Sequence, residues 1–162
     1  MIVLKNFRAV ASTGPGFVVE RRNVSKSGNE DWVSEGFFLK PEQAIAELAT
    51  HCKKESNRDA LNAICARIKS AKAGFDSVTF ESFEYEGFRA RKADSTLYVV
   101  ERRNVTRDGK EVWIYQGWYH QISIALGRML DMLLHESSVS TLGEIREKVG
   151  LFAASVEGSD GK

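Results

Sequence analysis

The chain has 162 residues, of which 43% are hydrophobic and 28% are charged, as expected for one globular domain or two very small ones. Its 23 Lys and Arg residues are balanced by 22 Asp and Glu residues, so the overall charge does not argue for a nucleic-acid partner, and any basic surface has to be local. No stretch approaches the roughly 20 apolar residues that span a bilayer, and the N-terminal segment lacks the layout of a signal peptide, so a cytoplasmic protein is expected.

Three strands are predicted in the first part of the chain, at residues 2–10, 17–24 and 31–39, because these segments are rich in aromatic and β-branched residues. Gly28 lies between the second and third strands, in the segment SKSGNE, where a hairpin needs a positive φ that glycine adopts without steric cost. The three strands are therefore expected to form an antiparallel meander.

Two helices are predicted to follow these strands. The first begins at Pro41, whose missing N–H costs nothing in a first turn, and the second begins near Ser56. Their buried faces are marked by apolar residues at helical spacing: Ala44, Ile45, Leu48, Ala49 and Cys52 in the first helix, and Leu61, Ile64, Cys65 and Ile68 in the second. The two cysteines are predicted to be free buried thiols, with a disulfide between antiparallel helices as the alternative.

The second part of the chain repeats the first at an offset of 81 residues without a gap. Of the 63 positions between residues 6 and 68, 19 are identical to their counterparts, and seven of these are consecutive, in Val18–Val24 and Val99–Val105. The repeat predicts strands at 81–91, 97–105 and 112–119, with Gly109 at the position of Gly28. In the last helix, Thr141 and Glu144 have the spacing of a capping box.

The predicted fold is therefore α+β, a tandem repeat of a three-stranded antiparallel meander followed by two helices, with the two copies packed as a pseudo-twofold pair. The first unit spans residues 1–69, a linker spans 70–80, and the second unit spans 81–150. The small, polar tail at 151–162 is expected to be flexible.

The helix around residues 122–134 has a wider apolar stripe than one short helix buries against its own sheet. The surplus predicts a contact with the other unit or with a second chain, which leaves a homodimer open. The predicted interface residues are Leu126, Met129, Leu130, Met132, Leu133 and Leu134.

The sequence contains no nucleophile-elbow, P-loop, dinucleotide-binding, zinc-protease or Cys-x-x-Cys motif. Its three histidines show no metal-ligand spacing with the cysteines, so neither a metal nor a cofactor is predicted. Glu20 and Glu101 recur in both halves, but each lies beside two arginines, which is typical of an ion-paired strand surface. These observations predict a binding protein without catalytic activity.

The seven retained residues carry the candidate nucleic-acid-binding residues, together with a tryptophan on the neighbouring strand. The set consists of Arg21, Arg22, Trp32, Arg102, Arg103 and Trp113. Strand alternation separates the two arginines of each pair, so at least one per unit is expected on the open face of the sheet, within reach of the tryptophan. One interpretation is a solvated strand that resists edge aggregation, with the tryptophans in the core. The other is a site for an anion, above all nucleic-acid phosphate.

Three strands followed by a Gly-aromatic-aromatic turn and a helix resemble the DNA-reading domain of plant ethylene-response factors and the arm-binding domains of tyrosine recombinases. This resemblance implies that the strand arginines and tryptophans enter the major groove. The chain is also similar to small uncharacterised phage proteins, through Gly36-Phe37-Phe38 with Ala44 and through Gly117-Trp118-Tyr119 with Ala125-Leu126. The second likeness implies a bacteriophage or mobile-element origin.

The sequence thus predicts an accessory protein of a phage or mobile element that binds nucleic acid through basic sheet faces. The alternative is an inhibitor of a bacterial defence system, which captures a host protein or sequesters a signalling nucleotide in a cleft between the units. No membrane partner is predicted.

Overall fold

A computed structural model describes residues 2–4, 6–137 and 141–159. These residues form an α+β fold with two four-stranded antiparallel sheets and four α-helices. The first sheet and its helices are β1 (Ile2–Leu4), β2 (Phe7–Ala11), β3 (Phe17–Val24), β4 (Glu30–Phe38), α1 (Pro41–Thr50) and α2 (Glu55–Gly74). After a 3-10 turn at Phe75–Ser77 come β5 (Ser82–Tyr85), β6 (Phe88–Lys92), β7 (Tyr98–Val105), β8 (Glu111–Tyr119), α3 (Ile122–Glu136) and α4 (Leu142–Ser159). Within the described ranges, no helix combines the length and the apolar character that crossing a membrane requires.

Each sheet has four strands in sequential order, which corrects the prediction of three. The segments predicted as single opening strands each fold into two short strands. In the second sheet, Glu86 and Gly87 have φ values of 44° and 82°, the backbone of a two-residue hairpin turn, so β5 reverses into β6. In the first sheet, β1 pairs with β2 in the same antiparallel manner. The strand-forming residues on both sides of the turn made the segment look continuous.

The strand registers of the two sheets agree at the offset of 81 residues. The pair Phe7 and Arg21 recurs as Phe88 and Arg102. Both sheets also have a bulge in the last ladder, following Val19 in one and Val100 in the other. This agreement concerns the sheets. That residues 6–68 and 87–149 superpose as whole units, and that these units form a pseudo-twofold pair, stays a prediction.

The hairpins between the last two strands of each sheet confirm the predicted role of the two glycines. Gly28 has a φ of 83° and Gly109 a φ of 81°. The N–H of Gly28 donates to the carbonyl of Ser25, and that of Gly109 to the carbonyl of Thr106, each at 3.0 Å. A four-residue turn that ends on a left-handed glycine joins the strands in both places.

The predicted helix starts are also confirmed. α1 begins at Pro41, α2 at Glu55 and α4 at Leu142. The capping box is formed, since the N–H of Thr141 donates to Glu144 Oε2 at 3.0 Å and the N–H of Glu144 donates to Thr141 Oγ1 at 3.2 Å. These reciprocal bonds satisfy two amides that the first helical turn leaves without partners.

The chain divides into two compact units, one of residues 1–69 with 134–148 and the other of residues 70–133 with 149–162. The segment 134–148 therefore lies with the first unit, although the predicted boundaries assign it to the second. The reason is packing, because Leu134 and Ile145 line a cavity together with Ile2 and Ala44.

The predicted linker and the predicted flexible tail both contain regular structure in the second unit. α2 continues to Gly74, and α4 continues to Ser159. Phe75 and Phe152 are 2% and 0% exposed, and their rings meet edge to face at 5.7 Å. Burial of these rings, together with that of Val78, Phe80 and Val156, orders segments that are otherwise mostly small and polar. Residues 160–162 of the predicted tail lie outside the described residues.

The six predicted interface residues are all buried within the single chain, with exposures from 0% to 8%: Leu126, Met129, Leu130, Met132, Leu133 and Leu134. The wide apolar stripe is thus covered by the chain's own residues. A second chain would find almost no surface on these side chains.

Both cysteines are buried and free, which confirms the thiol prediction. Burial raises the pKa of the Cys52 thiol and that of the Cys65 thiol. The Cys65 thiol also donates to the carbonyl of Glu42 at 3.3 Å. Thiols with raised pKa values are poor nucleophiles, so these cysteines serve packing.

Candidate functional site

Each sheet buries one face and exposes the other. Ala9 and Val19 are cross-strand partners with 5% and 0% exposure, which fixes the buried face of the first sheet. Arg8 and Glu20, the next pair, point the opposite way, to the side called here the open face. The open face of the first sheet consists of Val3, Arg8, Val10, Val18, Glu20, Arg22, Val24, Glu30, Trp32, Ser34 and Phe37. That of the second consists of Ser82, Glu84, Arg89, Arg91, Val99, Glu101, Arg103, Val105, Glu111, Trp113, Tyr115 and Trp118, of which Val99 and Glu101 are covered by their neighbours, with 2% and 9% exposure.

An arginine covers a tryptophan on each open face. Arg8 Cζ lies 4.2 Å from the centroid of Trp32, and Arg89 Cζ lies 4.2 Å from the centroid of Trp113. Both tryptophans are half-buried on the open face and not in the core. The sequence predicted an arginine contact for them from the neighbouring strand, but the guanidinium comes from β2 or β6 and crosses the strand between.

Glu101 is the centre of a charged cluster on the second open face. Arg89 Nη2 donates to its Oε2 at 2.6 Å, and Arg91 Nε donates to the same oxygen at 3.0 Å. Burial raises the pKa of this carboxyl, but the hydrogen bonds and charges of Arg91 and Arg89 outweigh that effect and hold the pKa below its usual range. In the first sheet Glu20 accepts from Arg8, and Val10 replaces the second arginine.

Glu101→Gln is expected to destabilise the protein at neutral pH by about 1–3 kcal/mol, because charged hydrogen bonds are lost beside two arginines. A carboxyl with a lowered folded pKa contributes stability above its unfolded pKa and loses that contribution as the pH falls through the folded pKa. The difference from wild type should therefore shrink below about pH 4.5, the ordinary value. Urea unfolding at neutral and acid pH measures it. The matched variant Glu20→Gln should lose less, and a Glu101→Gln deficit that persists in acid would contradict the assignment.

Carboxylates lie beside Arg21, Arg22 and Arg103, which are among the arginines predicted to bind phosphate. Arg21 pairs with Glu35 and Arg22 with Glu30. Arg103 pairs with Glu111 at 3.5 Å, and Arg102 is exposed in β7. Arg22 and Arg103 lie on the open faces, and Arg21 and Arg102 lie on the opposite side, which confirms that alternation separates the arginines of each pair. Much of the positive charge of these arginines is thus balanced. An exposed ion pair stabilises a protein by only about 0–1 kcal/mol, so a phosphate can compete with the glutamates for the arginines.

A β-bulge in β8 brings two exposed aromatic rings together. Val100 lies opposite Gly117 and Glu101 opposite Tyr115, so Gln116 is an extra residue in this strand. Because of it, Tyr115 and Trp118 share the open face, where regular alternation would separate them. Their ring centroids are 5.8 Å apart, and the residues are 53% and 54% exposed. The two ring planes are tilted by 45°, so each ring offers its own surface on which a flat ligand can stack.

Sequence reasoning missed Tyr115 and Trp118 as site residues. The available signal was Gly117, since a glycine inside a strand indicates a bulge or a close approach. The first sheet has the same bulge, but it places Ser34 beside Phe37, which is 55% exposed. The aromatic pair therefore distinguishes the second sheet from the first.

The first unit also contains a cavity of about 160 Å³. It is lined by Ile2, Ala9, Ala11, Phe17, Pro41, Ala44, Ile45, Leu134, His135, Ser137 and Ile145. None of these lining residues is a lysine or an arginine and most are apolar, so the cavity suits an apolar group better than the phosphates of a signalling nucleotide. Over the described part of the chain, no group of three His, Cys, Asp or Glu residues could hold a metal ion.

Comparison with known proteins returned no match to this chain among family models, curated proteins or solved structures. The chemistry of the two open faces is therefore the guide to function.

Proposed function

We propose that this protein is a non-enzymatic binding protein that holds single-stranded nucleic acid on the open face of its second sheet. The observation that carries the proposal is the exposed pair of Tyr115 and Trp118, on a face that also bears Arg89, Arg91 and Arg103. Every base offers a flat π-surface to such rings, and arginines add charge and cation–π contacts.

The geometry of the rings favours unpaired bases over a duplex. In a duplex the bases are stacked on one another and present only their edges in the grooves. Rings that lie on an open sheet need the faces of the bases, which are available in single strands, loops and bulges. This mode of binding differs from the major-groove contacts that the ethylene-response-factor resemblance implies.

The electrostatic contribution to binding is expected to be modest. Arg89 and Arg91 share Glu101, and Arg103 pairs with Glu111. The whole chain has a formal net charge of +1. Affinity should therefore depend more on stacking than on the release of counterions from phosphates.

Binding of labelled DNA and RNA oligonucleotides, single-stranded and duplex, at two salt concentrations tests the proposal. We expect single strands to bind more tightly than duplexes and to quench tryptophan fluorescence. We expect the protein to neutralise one or two phosphates. A plot of the logarithm of the binding constant against the logarithm of the salt concentration should then have a slope of about −0.7 to −1.4. Preference for the duplex, or no binding at low salt, would overturn the proposal.

A protein partner is the second candidate, in line with the alternative of a factor that captures a host defence protein. The observation in its favour is that exposed aromatic residues lie beside arginines whose charge is balanced by glutamates. Tryptophan, tyrosine and arginine dominate the energetic centres of protein interfaces. This candidate leads if no oligonucleotide binds.

A further inference from the structure

β8 is an unprotected edge strand. It pairs with β7 on one side, and no described strand pairs with it on the other. Its nine residues carry a charge only at Glu111, the first of them. The exposed apolar residues of the strand are Val112, Ile114, Tyr115 and Trp118, with exposures of 37%, 43%, 53% and 54%. A long, exposed, apolar edge is a template for pairing with another strand.

β4, the edge strand at the same position of the first sheet, provides an internal comparison. It carries Asp31 where β8 has Val112, and Glu35 where β8 has Gln116. Charged residues are a common protection of sheet edges against pairing with other chains. At identical backbone positions, one edge therefore has this protection and the other lacks it.

The main chain of β8 turns hydrogen-bonding groups toward the open edge. The N–H of Arg103 donates to the carbonyl of Gly87 at 2.7 Å, so this residue bonds toward β6. Arg103 lies opposite Trp113 in the ladder between β7 and β8. Because Arg103 bonds toward β6, the two form a non-hydrogen-bonded pair, and Trp113 turns its N–H and C=O away from β7. By alternation, Glu111 and Tyr115 do the same.

We propose that β8 pairs with β8 of a second copy of this chain, antiparallel about a twofold axis at Trp113, to give one eight-stranded sheet. In this register Val112 faces Ile114 of the other copy, and Glu111 faces Tyr115. The three outward-turned residues of each strand then meet those of the other, and no like charges face each other. A net charge of +1 per chain adds little repulsion. This self-complementarity identifies a second copy as the occupant.

Val112→Asp combined with Gln116→Glu tests the proposal, because it gives β8 the residues that β4 carries at the same positions. Light scattering should give wild-type protein twice the chain mass of 18.1 kDa, and the double variant 18.1 kDa. The reciprocal control, Asp31→Val with Glu35→Gln, removes the protection of β4. Both β4 and β8 are then long edges without this protection, so assemblies larger than a dimer are expected. Wild-type protein at the mass of one chain at every concentration, or a folded double variant that remains dimeric, would refute the pairing.

Hydrogen exchange on wild-type protein decides the question if the double variant fails to fold. The amides of Trp113 and Tyr115 should become more protected as protein concentration rises, while those of Trp32 and Ser34 in β4 should not change. Exchange at Trp113 that is independent of concentration would also refute the pairing. Neither measurement contains nucleic acid, so the outcome is separate from that of the binding assay.

Discussion

Gly16→Ala is expected to lower the free energy of unfolding by about 2–6 kcal/mol, a large share of the stability of a small protein. Gly16 has a φ of 115°, a conformation that an L-residue adopts only with strain. An added Cβ would also lie 2.6 Å from the Phe38 carbonyl oxygen and 2.7 Å from the Phe37 ring. The carbonyl belongs to β4 and cannot move without disturbing the ladder, so backbone strain and overpacking add together.

Gly14→Ala is the matched control in the same loop. Nothing lies within 4 Å of the Cβ that it would add, so its effect should stay within about 0.5 kcal/mol. Urea unfolding of both variants measures the difference. Equal stabilities would show that the loop between β2 and β3 does not approach β4 as closely as described.

Features decided by neighbouring residues could be predicted from the sequence. Gly28 and Gly109 stand where only a glycine meets the turn at no cost, Pro41 opens a helix, and Thr141 caps one. In each case the physical cause lies within a few residues of the effect. The bounds of the strands that these signals delimit were therefore predicted to within a few residues. The α+β class was also predicted correctly.

Features decided by distant residues were not predictable in the same way. Residues 151–159 contain only Leu151, Phe152 and Val156 as large apolar residues, and the burial of Phe152 depends on Phe75, Phe83 and Tyr85. The reversal between β5 and β6 uses Glu86 at a positive φ, which is unusual for a glutamate. Local propensity argued against both features. Ring contacts order Phe152, and Gly87, at the second left-handed position of the turn, completes the reversal after Glu86.

In the candidate site, too, features decided by neighbouring residues were predictable and features decided by distant residues were not. Alternation along β3 and β7 correctly separated the arginines of each pair. The balance of their charge depends on glutamates that approach from β4 and β8, and the cover over Trp32 depends on Arg8 from β2. The extra residue Gln116 shifts the alternation of β8, and only this shift places Tyr115 and Trp118 on one face.

Tyr115→Ala and Trp118→Ala are each expected to weaken binding of single-stranded nucleic acid by about 1–3 kcal/mol, or about fivefold to 150-fold, because each removes a surface on which a base stacks. The salt dependence of binding should not change, since neither substitution removes a cation. Ile124→Ala, at a residue of α3 in the same unit that is 52% exposed, is the control and should leave affinity unchanged. Trp118→Phe should recover part of the loss by restoring an aromatic ring. Fluorescence anisotropy of a labelled oligonucleotide measures the affinities of all four variants, which are compared in the same oligomeric state. Unchanged affinity in both alanine variants, or a flattened salt slope, would show that the rings are not the stacking surface.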